Sequence, residues 1–245
     1  MSPREWNASA YDRLSSPQLA MGREVLERLD LQGDERVLDA GCGTGRVTEL
    51  ILERLDTGEV VAVDGSEAMI EHTRQRFGDA VRAFTADLLE LTLDEPVDAI
   101  LSTATFHWIH DHDTLFRRLH AALKPGGRLA AQCGGAGNGA NVVEAIDAVD
   151  HPALRGWAGP WNFPTPAEAR QRLEAAGFTA VWTWLQPWAV EPDDPHHYFA
   201  TVILGSHLER VPVGERDDFV DAVLERVGEP VRVDYVRLNL LARRS

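Results

Sequence analysis

The chain has 245 residues, 44% of them hydrophobic, which suits one large α/β domain or a domain with a modest appendage. Its 39 acidic and 24 basic residues give a net charge of -15; the arginines are scattered and Lys124 is the sole lysine, so a nucleic-acid partner is not expected. No apolar run reaches the length of about 18 residues needed to cross a bilayer, and the residues from Met1 to Trp6 lack a signal-peptide pattern, so no membrane association and a cytoplasmic location are expected. The two cysteines, Cys42 and Cys133, suit a reducing compartment, and no histidine stands at zinc-finger spacing from either; no metal site is expected.

In chain order, Pro17 to Leu31 reads as a helix that could lie across the end of a sheet. Residues 34–133 then alternate short β-branched runs with amphipathic helices, the pattern of a parallel sheet with crossover helices. Strands are predicted at Arg36–Asp39, Glu59–Val63, Val81–Thr85, Val97–Ser102 and Gly127–Cys133. Between them Val47, Leu50, Ile51 and Leu55 share one helical face, as do Met69, Ile70, Thr73 and Phe77, and again Leu115, Phe116, Leu119 and Leu123. A helix over Asn138 to Val149 leads into an irregular, tryptophan-bearing stretch, His151 to Pro164. Thr165-Pro166 is a helix start and Gly177 the matching stop. A strand at Thr179 to Trp188, helices at about Pro195 to Arg210 and Glu215 to Val227, and a strand at Val231 to Ala242 complete the chain. The expectation is a single domain: residues 1–33 a helical lid, 34–133 a cofactor-binding core, and 134–245 substrate-side insertions with the final antiparallel strands.

The strand Val37-Leu38-Asp39 runs into Gly41-Cys42-Gly43-Thr44-Gly45, and a helix follows directly. Glycines at a strand-to-helix turn permit positive φ and close approach of a ligand to the backbone, which points to a nucleotide-type site. A dinucleotide fingerprint would need glycine at 46, where this chain has Arg46. A cofactor with an amino-acid end in place of a pyrophosphate suits the turn better: Asp39 can serve its ammonium through water, and amides around Gly43 can face its carboxylate. Asp64 ends the second strand, where a carboxylate can accept both ribose hydroxyls. Asp87 follows the third, where it can accept an adenine amino group while Leu88 packs on the ring. An isolated aspartate after a strand is often just a helix cap. Three of them beyond successive strands, with the glycine turn, are more specific.

These residues, together with Leu123-Lys124-Pro125-Gly126-Gly127-Arg128-Leu129, resemble the class I S-adenosylmethionine-dependent methyltransferases over about residues 5–133. The resemblance implies a Rossmann-like seven-stranded sheet of order 3-2-1-4-5-7-6 with strand 7 antiparallel, and S-adenosyl-L-methionine as cofactor. Gly65, Ser66, Met69, Thr103, Trp108 and Tyr11 are expected around that cofactor, beside Asp39, Gly41, Cys42, Gly43, Gly45, Asp64, Asp87 and Leu88. His107-Trp108 after the fourth strand looks like the small-molecule subgroup that carries Gln-Trp or His-Trp there and includes trans-aconitate methyltransferases. The tail Arg216…Phe219…Tyr235…Arg237 is loosely similar to the same group. The Asn/Asp-Pro-Pro-Tyr/Phe and Pro-Cys motifs of nucleic-acid and protein-amide methyltransferases are absent from the sequence.

The expected reaction is methyl transfer to a small molecule, first of all O-methylation of a carboxylic acid, which needs alignment more than acid–base chemistry. C- or N-methylation with His107 as base is the alternative. In the blander reading His107 and Trp108 only wall the pocket. Trp157, Trp161 and Phe163 in the long loop are expected on the substrate side, with Arg155 as a carboxylate clamp. His110 and the Asp111-His112-Asp113 run read as a helix-start loop, and His196-His197-Tyr198 as a first-turn surface. Trp6 and Tyr11 would form a lid or an anchor, and Trp182, Trp184 and Trp188 would pack along one strand face. A nicotinamide-dependent oxidoreductase and a catalytically silent cofactor-binding protein are the rival classes. The molecule is expected to be a monomer or dimer.

Overall fold

The computed structural model describes Glu5 and residues 16–245. Seven strands form one sheet in the order 3-2-1-4-5-7-6. Strand β1 (Arg36–Ala40) pairs in parallel with β2 (Glu59–Asp64) and β4 (Val97–Thr103); β2 pairs with β3 (Arg82–Thr85) and β4 with β5 (Leu123–Gly134). Strand β7 (Val233–Arg244) lies antiparallel between β5 and β6 (Phe178–Val190).

Central strands of such a sheet are covered on both faces, so their residues are buried whichever way they point. Val37 and Leu38, neighbours in β1, are both fully buried and belong to different clusters. On one face helices α1 (Ser16–Glu27), α2 (Arg46–Leu52) and α3 (Glu67–Phe77) contribute Val25, Ile51 and Ile70. On the other, α4 (His112–Ala122) and α6 (Pro166–Ala175) contribute Phe116, Leu119 and Leu173. The predicted start of α6 is a full capping box between Thr165 and Glu168, and Gly177, at φ +101, follows its end.

A third cluster joins α5 (Ala140–Val149), the segment around Phe199, and α9 (Arg216–Val227) to the beginning of β7. The helix predicted over Pro195 to Arg210 is broken here into α7 (Pro195–Tyr198), a π-helical turn (Phe199–Ile203) and α8 (Gly205–Leu208). Tyr198, Phe199, Val202, Ile203 and Leu204 are all buried, more than one stripe of a regular helix can present, and the widened turn spreads them.

Two further expectations are corrected. Strand β5 begins at Leu123, not Gly127, because Val97 already pairs with Leu123 before a register shift around Lys124-Pro125-Gly126-Gly127. Trp182 is not packing: it shares a face with Trp184 and Trp188 in an unbroken register with β7, but on the edge strand β6 it is 69% exposed.

Candidate active site

The carboxyl ends of β1 to β5 carry the loops that meet the third cluster, and a cavity of about 810 Å³ opens between them. Strand β7 runs the other way, so its first residues reach the same end. Gly134, the last residue of β5, pairs with Arg237.

The cofactor half is built from the glycine turn. Gly41 and Cys42 donate their N–H groups to Val63 O at 2.7 and 3.0 Å, which folds the turn onto the end of β2. Gly41 sits at φ +86, and a Cβ there would come within 2.1 Å of Thr105 Oγ1, so only glycine fits. Gly43, at φ +56, has nothing within 4 Å of its would-be Cβ, which leaves its backbone open to the cavity.

Asp64 holds this arrangement. Its two oxygens accept from Gly43 N and Ser66 N, each at 2.9 Å, while the residue still lines the cavity. Burial raises its pKa, and the backbone hydrogen bonds oppose the rise. Asp39 lies behind the turn, accepts from Thr48 Oγ1 at 2.7 Å, and is pushed up to about 7 by burial, with the Asp64 charge adding. Asp87 and Leu88 line the cavity after β3, and Asp87 caps its own loop by accepting from Leu89 N at 2.9 Å. The acids facing the cavity here, Asp64 and Asp87, are matched to a cofactor with hydroxyl, amino and sulfonium groups rather than to phosphates. The residues present therefore fit S-adenosylmethionine.

In the acceptor half, His107 is 7% exposed and lines the cavity. Its Nδ1 accepts from Gly134 N at 3.2 Å, so in the neutral ring the proton sits on Nε2. Burial, with the nearby Arg237 charge, holds its pKa well below the ordinary 6.5. Arg237 is 3% exposed on the cavity wall, its guanidinium 5.7 Å from the centre of the Tyr235 ring. Tyr235 in turn shares a 2.8 Å hydrogen bond with Tyr198. The long loop is tied to this wall: Asn162 N donates to His107 O at 2.8 Å, and Asn162 Nδ2 to Ile109 O at 3.2 Å. Trp161 thereby stacks on Phe163 at 5.7 Å and leans on Trp108 at 6.2 Å.

A methyltransferase-domain model matches residues 37–127. The trans-aconitate 2-methyltransferase of Methylobacterium radiotolerans is 33% identical to this chain over 77% of the chain and 70% of the relative. The chain belongs to the S-adenosylmethionine-dependent methyltransferases. Its cofactor is S-adenosylmethionine. The trans-aconitate 2-methyltransferase of Acidovorax sp. (strain JS42) is 28% identical over 98% of the chain and 99% of its own length. Among solved structures, phosphoethanolamine N-methyltransferase 2 of Haemonchus contortus with S-adenosyl-L-methionine superposes with a TM-score of 0.66 at 17% identity. That match covers 97% of this chain and 56% of the other, so this chain spans just over half its length.

The methyltransferase brings most of the predicted residues to one place. Gly41, Gly43, Asp64, Gly65, Met69, Asp87, Leu88, Thr103, His107, Trp108, Trp157 and Trp161 all line the cavity. Asp39, Cys42, Gly45 and Ser66 do not line it; they shape it from behind. Gly45 lets Phe77 pack where a Cβ would come within 2.5 Å of the ring, and Ser66 caps α3 by accepting from Met69 N at 3.3 Å. Arg155 is a correction: it is drawn to Asp150, five residues back, through contacts of 3.0 and 2.7 Å, with 62% of its side chain exposed and away from the cavity. Trp6 and Tyr11 lie outside the described residues. Asp111 caps α4 through Thr114 N at 2.9 Å, and His112 shares a 2.9 Å hydrogen bond with Phe106 O, so that run is a helix start.

Glu5, Glu209, Arg210 and Arg237 are among the cavity residues that were given no site role from sequence. Glu5 accepts from Ser66 Oγ at 2.8 Å, which lowers its pKa. Arg237 could have been found, because alternation along β7 puts Val233, Tyr235 and Arg237 on one face, and all three line the cavity.

Proposed function

We propose that this methyltransferase transfers its methyl group to a carboxylate oxygen of a small organic acid held by Arg237. The observation that carries this reading is the buried guanidinium of Arg237 on the cavity wall beside the neutral His107. A buried guanidinium favours a planar anion that can take two parallel N–H bonds, and a carboxylate is the small anion of that shape. The trans-aconitate 2-methyltransferases among the relatives, whose name denotes a carboxylic-acid substrate, support the same choice.

The bound cofactor supplies a methyl group already activated on a sulfonium. A carboxylate is anionic at neutral pH and needs no base. One of its oxygens forms the new C–O bond as the S–CH₃ bond breaks, and the sulfur keeps the electron pair. The protein's part is to align the oxygen and to exclude water. Arg237 orients the acid. The Nε2–H of His107 is a donor that can bind the same carboxylate, and with Nδ1 taken by Gly134 N the ring has no free lone pair to act as base. Trp108, Trp161 and Phe163 keep the acceptor half dry.

Replacement of Arg237 tests the assignment. Arg237→Gln is expected to raise the KM of a carboxylic-acid acceptor by about 30-fold or more, as for loss of a charged hydrogen-bond pair, with S-adenosylhomocysteine affinity unchanged. Steady-state assays of S-adenosylhomocysteine release, with calorimetry of its binding, separate the two. An unchanged KM removes Arg237 from the acceptor site.

A further inference from the structure

We infer that Asn138 is a further acceptor-binding residue, its Nδ2 donating a hydrogen bond to an oxygen of the acceptor's carboxylate. The carboxylate O-methylation proposed above is the premise, and Asn138 adds a neutral donor to that site.

Asn138 stands in the loop of residues 135–139 between β5 and α5, and this loop is laced to the start of β7. Gly135 N donates to Val236 O and Gly139 N to Asp234 O, each at 2.9 Å. Between them, Asn138 Oδ1 accepts from Val236 N at 3.1 Å, so the side chain takes the place of a strand partner. That bond also fixes which way the amide points. Val236 N–H can meet only an acceptor, so Oδ1 is turned to β7 and Nδ2 away from it.

Asn138 is 7% exposed and lines the cavity. No group among the described residues accepts from Nδ2, and the atom is not sealed from solvent. A buried amide donor is normally paired, because one left unmatched gives up its hydration with nothing in exchange. The partner of Nδ2 therefore comes from what fills the cavity.

The position of Nδ2 narrows that partner. A Cβ on Gly134 would come within 3.0 Å of Nδ2, which thus lies against the residue whose N–H binds His107 Nδ1 and whose strand partner is Arg237. The donor is in the acceptor half. A carboxylate commits one oxygen to the methyl group and keeps a second, with its own lone pairs, for such a donor. An amine acceptor has a single lone pair, and the methyl group takes it.

Two variants of the full chain test this, because the two ends of the amide can be changed separately. Asn138→Asp keeps an acceptor for Val236 N–H and puts a second carboxylate oxygen where the donor was. Asn138→Ala removes both ends. Trans-aconitate, citrate, 3-phenylpropenoate and octanoate are assayed by S-adenosylhomocysteine release, and the variants are compared on the acid that wild type turns over best. KM is expected to rise about tenfold in Asn138→Ala and further in Asn138→Asp, with S-adenosylhomocysteine affinity unchanged by calorimetry. A role confined to pinning the loop reverses that order, since the aspartate still holds Val236. A KM for Asn138→Asp at or below that of Asn138→Ala therefore overturns the inference and leaves carboxylate methylation standing. Should the aspartate variant not fold, Asn138→Ala decides alone: a rise in KM with kcat held supports the contact, and anything less overturns it. Failure of wild type to methylate any of the acids, with S-adenosylhomocysteine still bound, overturns the carboxylate reading and this inference with it.

Discussion

At the residue scale, Asp64 combines two tasks in one side chain. Its carboxylate accepts backbone N–H groups from Gly43 and Ser66, which pins the glycine turn to the start of α3, while the residue lines the cavity. Asp64→Ala is therefore expected to lower affinity for S-adenosylhomocysteine by about 2–3 kcal/mol, roughly 30- to 150-fold, as for lost charged hydrogen bonds. Calorimetry reads this directly, and an unchanged Kd would sink the ribose assignment. His107 gives a pH prediction. Its folded-state pKa is held well below 6.5, so the folded chain binds fewer protons than the unfolded one as pH falls through that value. The stability it contributes is present above the unfolded pKa and is lost below it. His112 is shifted the same way by burial. Asp39, raised to about 7, acts in the opposite sense: its contribution declines as pH climbs from 3.8 toward 7. Subtracting wild type from a His107→Gln variant isolates the histidine. The melting temperature of the variant is expected to gain on wild type between about pH 7.5 and pH 5. A constant difference across that range would show that His107 titrates normally.

At the element scale, the helices divide between those that carry the site and those that only support the sheet. Helix α6 is of the second kind: its residues Ala169 and Leu173 lie in the cluster under α4 and do not line the cavity. Thr165→Ala removes the side-chain half of its capping box and is expected to cost about 1 kcal/mol in a urea titration, with kcat/KM unchanged. A loss of activity at unchanged stability would contradict this division. The segment from α7 to α8 is of the first kind. Its π-helical turn lets one short stretch bury Phe199 in the third cluster and still present Ile203, with Glu209 and Arg210 just beyond it, to the acceptor half. A regular helix would have given a single stripe to one of those tasks.

At the scale of the whole molecule, a net charge of -15 surrounds a cavity lined, among the described residues, by the arginines 210 and 237. The long-range field repels an anionic acceptor, and the arginines attract it only at short range. Raising ionic strength from about 0.01 M to about 0.15 M screens the first effect more than the second, so kcat/KM for a carboxylate acceptor is expected to rise. A neutral acceptor would show no such rise, and a fall would mean that the field around the entrance is positive. No helix among the described residues is long and apolar enough to cross a membrane.

The cofactor half was legible in the sequence because it is local. The turn Gly41–Gly45 and the aspartates 39, 64 and 87 each stand within a few residues of a strand end, and a strand end in a parallel sheet is a fixed place. The strand order followed from the resemblance. The acceptor half is assembled from segments far apart in the chain, and neighbours along the sequence say nothing of who meets across the cavity. On paper Arg155 is the expected clamp, and Arg237 is only part of the loose tail similarity. Asp150, five residues away, captures the first on the surface, while antiparallel pairing of β7 with β5 carries the second beside His107. Nor does the sequence show that the backbone N–H of Gly134 meets Nδ1 of His107. The sequence alone determined the sheet, the glycine turn and the cofactor, since each depends on short-range pattern. Which cation lines the cavity, and which ring nitrogen of His107 meets the Gly134 N–H, were decided only by tertiary packing, because both depend on strands that meet at long range.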